Sequence, residues 1–221
     1  MRPQSPRHLR NSAATAAVPV LGAFATFCVV AALHEPTVLD RVVYDLAGRL
    51  YDRHVERAQH PLEIIGLPGA YIPAAYLIAR AMRRHGRRGG SALVVAAWSG
   101  WLSLRLVRLF FHRPRPPRPP RRGPKRESTF PSGHTTGLTT LAIVAATVLE
   151  REGLLTPGQA RLLRVGLPLT IGVSRIYVRE HWLTDVLGAW ALGGTVAASC
   201  LSVVRRPTTR GQRRRAASIA T

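Results

Sequence analysis

The chain has 221 residues, with 32 Lys+Arg against 11 Asp+Glu for a formal net charge of +21, and its apolar residues gather in blocks. In a water-soluble protein such a charge suggests nucleic acid, but no basic motif interleaved with aromatics for stacking bases is present, so the expected partners include no nucleic acid. The basic residues lie between apolar blocks and at both ends, as in loops held at an anionic membrane face. Arginine almost excludes lysine, Lys125 standing alone, a bias that fits a GC-rich bacterial genome. Cys28 and Cys200 both fall inside apolar blocks and read as small buried hydrophobes.

Asn11 to Leu33 carries no charge. At about 1.5 Å per residue it can cross a hydrocarbon core of about 30 Å. It exceeds the roughly 7–15-residue core of a signal peptide, so it reads as an uncleaved first helix. Five further apolar segments follow, giving predicted spans at 12–33, 61–80, 90–111, 134–149, 162–178 and 184–204. The expected fold is all-α, a polytopic membrane bundle of six transmembrane helices. Residues 11–204 form the membrane domain, and 1–10 and 205–221 are basic cytoplasmic tails.

Between the first two spans, acidic Glu35, Asp40, Asp45, Asp52 and Glu56 are mixed with arginines, while Leu39, Val43, Leu46 and Leu50 recur at helical spacing. That pattern predicts a short helix on the membrane surface with its apolar face in lipid. The second span holds Gly66, Pro68, Gly69 and Pro73, tolerated where neighbouring helices re-satisfy the backbone. Arginines at 2, 7 and 10, at 80, 83, 84, 87 and 88, and in the tail from Arg205 to Arg215 place those three regions on one side, the cytoplasm by the positive-inside rule.

One connection breaks that rule. Residues 112–130 fall outside the cytoplasm in this topology, yet hold Arg113, Arg115, Arg118, Arg121, Arg122, Lys125 and Arg126. Some of these are expected to bind an anionic substrate. Pro114, Pro116, Pro117, Pro119, Pro120 and Pro124 exclude a helix there and predict a semi-rigid extended loop.

The external ends of the spans carry the chemistry. Arg105, Arg108 and His112 stand at i, i+3 and i+7 and share a helix face. An arginine in a membrane helix is costly unless it faces the bundle interior or an aqueous cavity. Pro131-Ser132-Gly133-His134 opens the fourth span, where free backbone N–H groups suit an anion; taken alone it could equally be a capped turn. His181 and Asp185 lie at i and i+4, so a carboxylate can fix the imidazole tautomer and leave the other nitrogen to attack; a capping pair without chemistry is the alternative. His134, His181 and Asp185 could also form a two-histidine, one-carboxylate metal set. Arginines aimed at the same cavity would repel a cation, so no metal and no cofactor are expected.

These blocks resemble the type-2 phosphatidic acid phosphatase superfamily, whose pattern is K-x6-RP, then PSGH, then SR-x5-H-x3-D. The second and third blocks match in full. In the first, Arg115-Pro116 supplies RP and Arg108 stands where the family usually has lysine, exchanging a compact ammonium for a planar fork. The resemblance implies an integral-membrane enzyme, with His181 as nucleophile forming a phosphohistidine, Asp185 orienting it, and His134 protonating the departing oxygen and then activating water. It further implies that Arg108, Arg115, Arg175, Ser132 and the Gly133 N–H hold the phosphate oxygens. The implied substrate is a lipid phosphate or diphosphate: a polyprenyl diphosphate, phosphatidic acid or phosphatidylglycerol phosphate. A lipid phosphotransferase using an alcohol in place of water, or a non-enzymatic scaffold binding anionic membrane lipids, are the competing expectations.

Overall fold

In the computed structural model, which describes residues 22, 24–117 and 128–204, every regular element is a helix. Both basic tails, the loop residues Arg118 to Arg126 and the first half of the first predicted span lie outside the described residues. The described part of that span is α1, helical over 24–31.

Thr37 and Asp40 then start α2 (Val38–Arg49) with a capping box, the Thr37 hydroxyl accepting from Asp40 N–H and the Asp40 carboxylate from Thr37 N–H. The expected surface helix is present. Its exposed apolar face is Val38, Leu39, Val42, Leu46 and Leu50, whereas Val43 is half-buried. Asp40 and Ala47 point inward. Two short helices follow, α3 (Arg53–Ala58), capped by Asp52, and α4 (His60–Ile65).

The second predicted span is not one helix. The chain breaks at Gly66–Leu67, and Pro68 restarts it as the first residue of α5 (Pro68–Arg84), where its missing N–H costs nothing. Next come α6 (Gly90–Phe110), α7 (Gly133–Arg151), α8 (Pro157–Arg161), a π-turn over Leu162–Gly166, α9 (Leu167–Tyr177) and α10 (Leu183–Val204). Among the described residues α6 and Leu183–Val203 of α10 are long and apolar enough to cross a membrane, with hydropathies of 1.4 and 1.6. Two of the six predicted spans are thus met among the described residues; α5 has 17 residues, and α8, the π-turn and α9 follow one another without a break over 157–177.

α6 shows how the bundle is arranged for lipid. Its buried side is small (Ala92, Ala96, Ala97, Gly100), while Val95, Trp98, Leu102, Leu106 and Leu109 are exposed. An apolar outer stripe over a small-residue inner face is the inverse of a soluble helix, and it suits packing without a hydrophobic driving force between helices. α7 is central, packed against α6, α8, α9, α10 and the π-turn. Its buried Thr140 hydroxyl donates to Thr136 O within the helix and sits 3.2 Å from Gly193 O of α10. A side chain at Gly193 would meet Thr139 Cβ at 2.8 Å, so glycine permits this close approach. At the adjacent Gly194 an added side chain would meet open space instead.

Candidate active site

The C-terminal end of α6, the N-terminus of α7 and the α9–α10 turn meet at one end of the bundle around a cavity of about 490 Å³, within the range of small-molecule sites. Five of the eight residues singled out by sequence line it: Arg108, Arg115, Gly133, His134 and His181. Arg175, Ser132 and Asp185 lie behind the wall, each almost wholly buried. Arg105 and Glu180 join the lining. His112 does not, because α6 ends at Phe110 and the helical spacing that grouped it with Arg105 and Arg108 stops there.

Asp185 is held from several sides. Its Oδ2 accepts from the Thr129 hydroxyl at 2.7 Å and from Trp182 N–H at 2.8 Å. Its Oδ1 accepts from Arg113 at 3.0 Å. The direct approach of His181 Nδ1 to Oδ2 is longer, 3.5 Å, while Thr129 Oγ1 stands 3.1 Å from the same ring nitrogen. A hydroxyl has one proton, and Thr129 gives it to Asp185, so Thr129 accepts from His181 Nδ1–H. The imidazole therefore carries its proton on Nδ1, leaving the Nε2 lone pair for the cavity. Burial pushes the His181 pKa below its usual 6.5, with Asp185 opposing and the Arg115 and Arg108 charges reinforcing. The ring is thus kept in its neutral, nucleophilic form. With both carboxylate oxygens committed to protein donors, Asp185 is poorly placed to serve as a metal ligand.

Across the cavity, His134 Nε2 lies 3.1 Å from Glu63 O. A carbonyl only accepts, so this nitrogen carries a proton. Gly66 packs flat against the imidazole: a Cβ there would stand 2.2 Å from His134 Cδ2. Gly66→Ala is expected to displace the ring and lower kcat at least tenfold with little change in thermal unfolding temperature, read from turnover and melting of the purified protein. Equal kcat would show that the ring has room.

Two of the guanidiniums are bonded to backbone carbonyls. Arg108 Nη2 donates to Pro131 O at 3.0 Å and Arg115 Nη1 to Glu180 O at 3.2 Å, so each is tied to one of the motif loops. Arg175 Nη2 donates to Ser174 Oγ, itself bonded to Gln59 Oε1. Gly133 begins α7 after the cap residue Ser132, and an added Cβ would sit 3.6 Å from Arg108 Nη2. The first-turn N–H groups of α7 are thereby presented beside a guanidinium, a combination suited to anions.

Sequence reading missed three residues here. Arg113, grouped with the anion-binding loop, is a buried structural cation. Besides Asp185 it donates to Thr184 Oγ1 at 2.6 Å, Glu35 O at 3.1 Å and Asp40 Oδ2 at 3.0 Å. Asp40 in turn accepts from Thr184 N–H at 2.8 Å. Burial alone would raise the Asp40 pKa, but the hydrogen bonds from Thr184 and Thr37 outweigh it and hold the carboxyl below 3.8. Thr129, two residues before Pro131, had no signal beyond its nearness to a motif.

The PAP2 superfamily model matches residues 88–208. Among solved structures, the fold is similar to a transmembrane PAP2-type phosphatidylglycerolphosphate phosphatase from Bacillus subtilis, with a TM-score of 0.73 and 17% sequence identity over 86% of this chain and 98% of that one. No curated protein sequence matches.

Proposed function

This chain belongs to the PAP2 superfamily, and from that premise we propose that it is a membrane lipid phosphatase acting through a phosphohistidine on His181 at the extracytoplasmic face. The observation that carries the reading is the His181 tautomer: Nδ1–H is spoken for by Thr129, and Nε2 is left on a cavity shared with Arg108, Arg115, Gly133 and His134.

In the first step Nε2 attacks phosphorus and an N–P bond forms. The P–O bond to the leaving group breaks, and His134 gives a proton to the departing oxygen. A water then attacks the phosphohistidine, His134 takes its proton, the N–P bond breaks with its electron pair returning to Nε2, and inorganic phosphate leaves. Asp185 stabilises the positive charge on His181 through Thr129 and across the longer direct contact. Arg108 and Arg115, with the Gly133 N–H, hold the non-bridging oxygens and the charge that builds in the five-coordinate state, and Arg175 and Ser132 support them from behind the cavity wall.

Residues 11–204 form the membrane domain in this reading, with both tails cytoplasmic. The Arg83, Arg87 and Arg88 cluster, which lines a separate cavity, lies on the cytoplasmic side in this reading. The test is release of inorganic phosphate from purified phosphatidic acid, phosphatidylglycerol phosphate and polyprenyl diphosphate, with and without chelator. Turnover of at least one lipid, unaffected by the chelator, is expected. Loss of activity with chelator and its return with a single metal would overturn the metal-free mechanism.

The depressed His181 pKa sets the sign of the pH response. Nε2 is free of a proton above the lowered value, so the acid limb of kcat/KM is expected below pH 6.5. An acid limb above pH 7 in the free enzyme would contradict a buried neutral nucleophile.

A further inference from the structure

Arg105 lies outside the three motif blocks, yet it lines the reaction cavity with Arg108 and Arg115. It is three residues before Arg108 on α6, so the two share a face and Arg105 sits about 4.5 Å further from the helix end. Its neighbours Leu102, Leu106 and Leu109 form the exposed apolar stripe. Unlike Arg108 and Arg115, which are tied to the carbonyls of Pro131 and Glu180, Arg105 makes no hydrogen bond or ion pair among the described residues. An arginine at this depth is expensive unless it serves a polar cavity and what enters it.

Direction matters as much as charge. In a lipid phosphate the reacting terminal phosphate is the group farthest from the hydrocarbon. Arg108 is hydrogen-bonded to the loop that carries Gly133 and His134, at the reacting centre. Arg105 is displaced from it along α6, away from the helix end and toward the tails. A second phosphate lying between the terminal one and the hydrocarbon would fall beside it.

Resting on the lipid phosphatase reading above, we infer that Arg105 is a specificity-determining residue that binds a second phosphate, and that the substrate is a lipid carrying two phosphates. Two sources share that chemistry: a lipid diphosphate, with adjacent phosphorus atoms, and a lipid with a terminal monoester beyond a phosphodiester. A single-phosphate lipid such as phosphatidic acid places uncharged glycerol ester beside the guanidinium.

The experiment compares kcat/KM of the full chain for polyprenyl diphosphate, phosphatidylglycerol phosphate and phosphatidic acid, in wild type, Arg105→Gln and Arg105→Lys. The preference of wild type for its better two-phosphate lipid over phosphatidic acid is expected to fall about tenfold or more in Arg105→Gln, the loss typical of a charge-assisted hydrogen bond. Arg105→Lys, which keeps the cation, retains most of that preference. Whichever two-phosphate lipid shows the larger fall identifies the source. A wild-type measurement guards against a misfolded variant: methylenediphosphonate should inhibit at a concentration at least tenfold below that needed for inorganic phosphate. Equal inhibition by the two anions, or parallel loss on every lipid in Arg105→Gln, overturns the inference while the phosphatase reading stands. A wild-type protein that releases no phosphate from any of the lipids overturns that reading and the inference with it.

Discussion

Replacing His181 with alanine is expected to lower kcat for phosphate release at least about 10⁴-fold, because removing a covalent nucleophile leaves only positioning and electrostatic stabilisation. KM should change far less, since Arg108, Arg115 and the α7 N-terminus still bind the phosphate. Rapid quench of the wild type with a labelled lipid phosphate should trap a phosphoryl group on the protein, stable in base and labile in acid as an N–P bond is, and His181→Ala should trap none. Retention of more than about 1% of wild-type kcat by a clean His181→Ala preparation would remove the nucleophile from the mechanism. Thr129 and Asp185 do not line the cavity and so cannot replace it, and His134 is tied to Glu63 O.

The second large effect is on stability. Arg113→Ala is expected to destabilise the protein by about 3–5 kcal/mol, the cost of leaving buried charges without their partner. Both carboxylates that Arg113 bridges, Asp40 and Asp185, have fully buried side chains. A second change, Asp40→Asn in the Arg113→Ala background, removes one of the stranded charges and should recover part of the loss. Thermal unfolding in detergent reads both effects; a shift of less than a degree for Arg113→Ala would show that the network is dispensable. The same network fixes the direction of acid sensitivity. The folded Asp40 pKa is depressed, so its contribution is complete above the ordinary 3.8 and is lost as pH falls through the lowered value.

The residues proposed to react were legible in sequence because each motif is local. His181 and Asp185 are one helical turn apart, Ser132, Gly133 and His134 form a helix start, and Arg108 and Arg115 are fixed by the RP spacing. Their supports were illegible for the opposite reason. Asp40, Arg113, Thr129 and Thr184 come together only because α2, two connecting loops and α10 meet, and no periodicity links contacts spanning 16 to 144 residues. Arg113 was misleading in a further way, since a proline-rich basic loop offers no hint that one of its cations turns inward. The second predicted span differed because of a local break inside an apolar run: Gly66 and Leu67 interrupt it, although hydropathy continues across them.

Asp40 caps α2 and also shares Arg113 with Asp185, the acid behind the His181 imidazole. Glu63, whose carbonyl steadies His134, likewise precedes the stretch recognised as the family's own, 88–208. A polypeptide confined to that stretch would contain every reacting atom yet lack the clamps that aim two of them. Hydrolytic competence should therefore emerge only once the segments carrying Asp40 and Glu63 have docked.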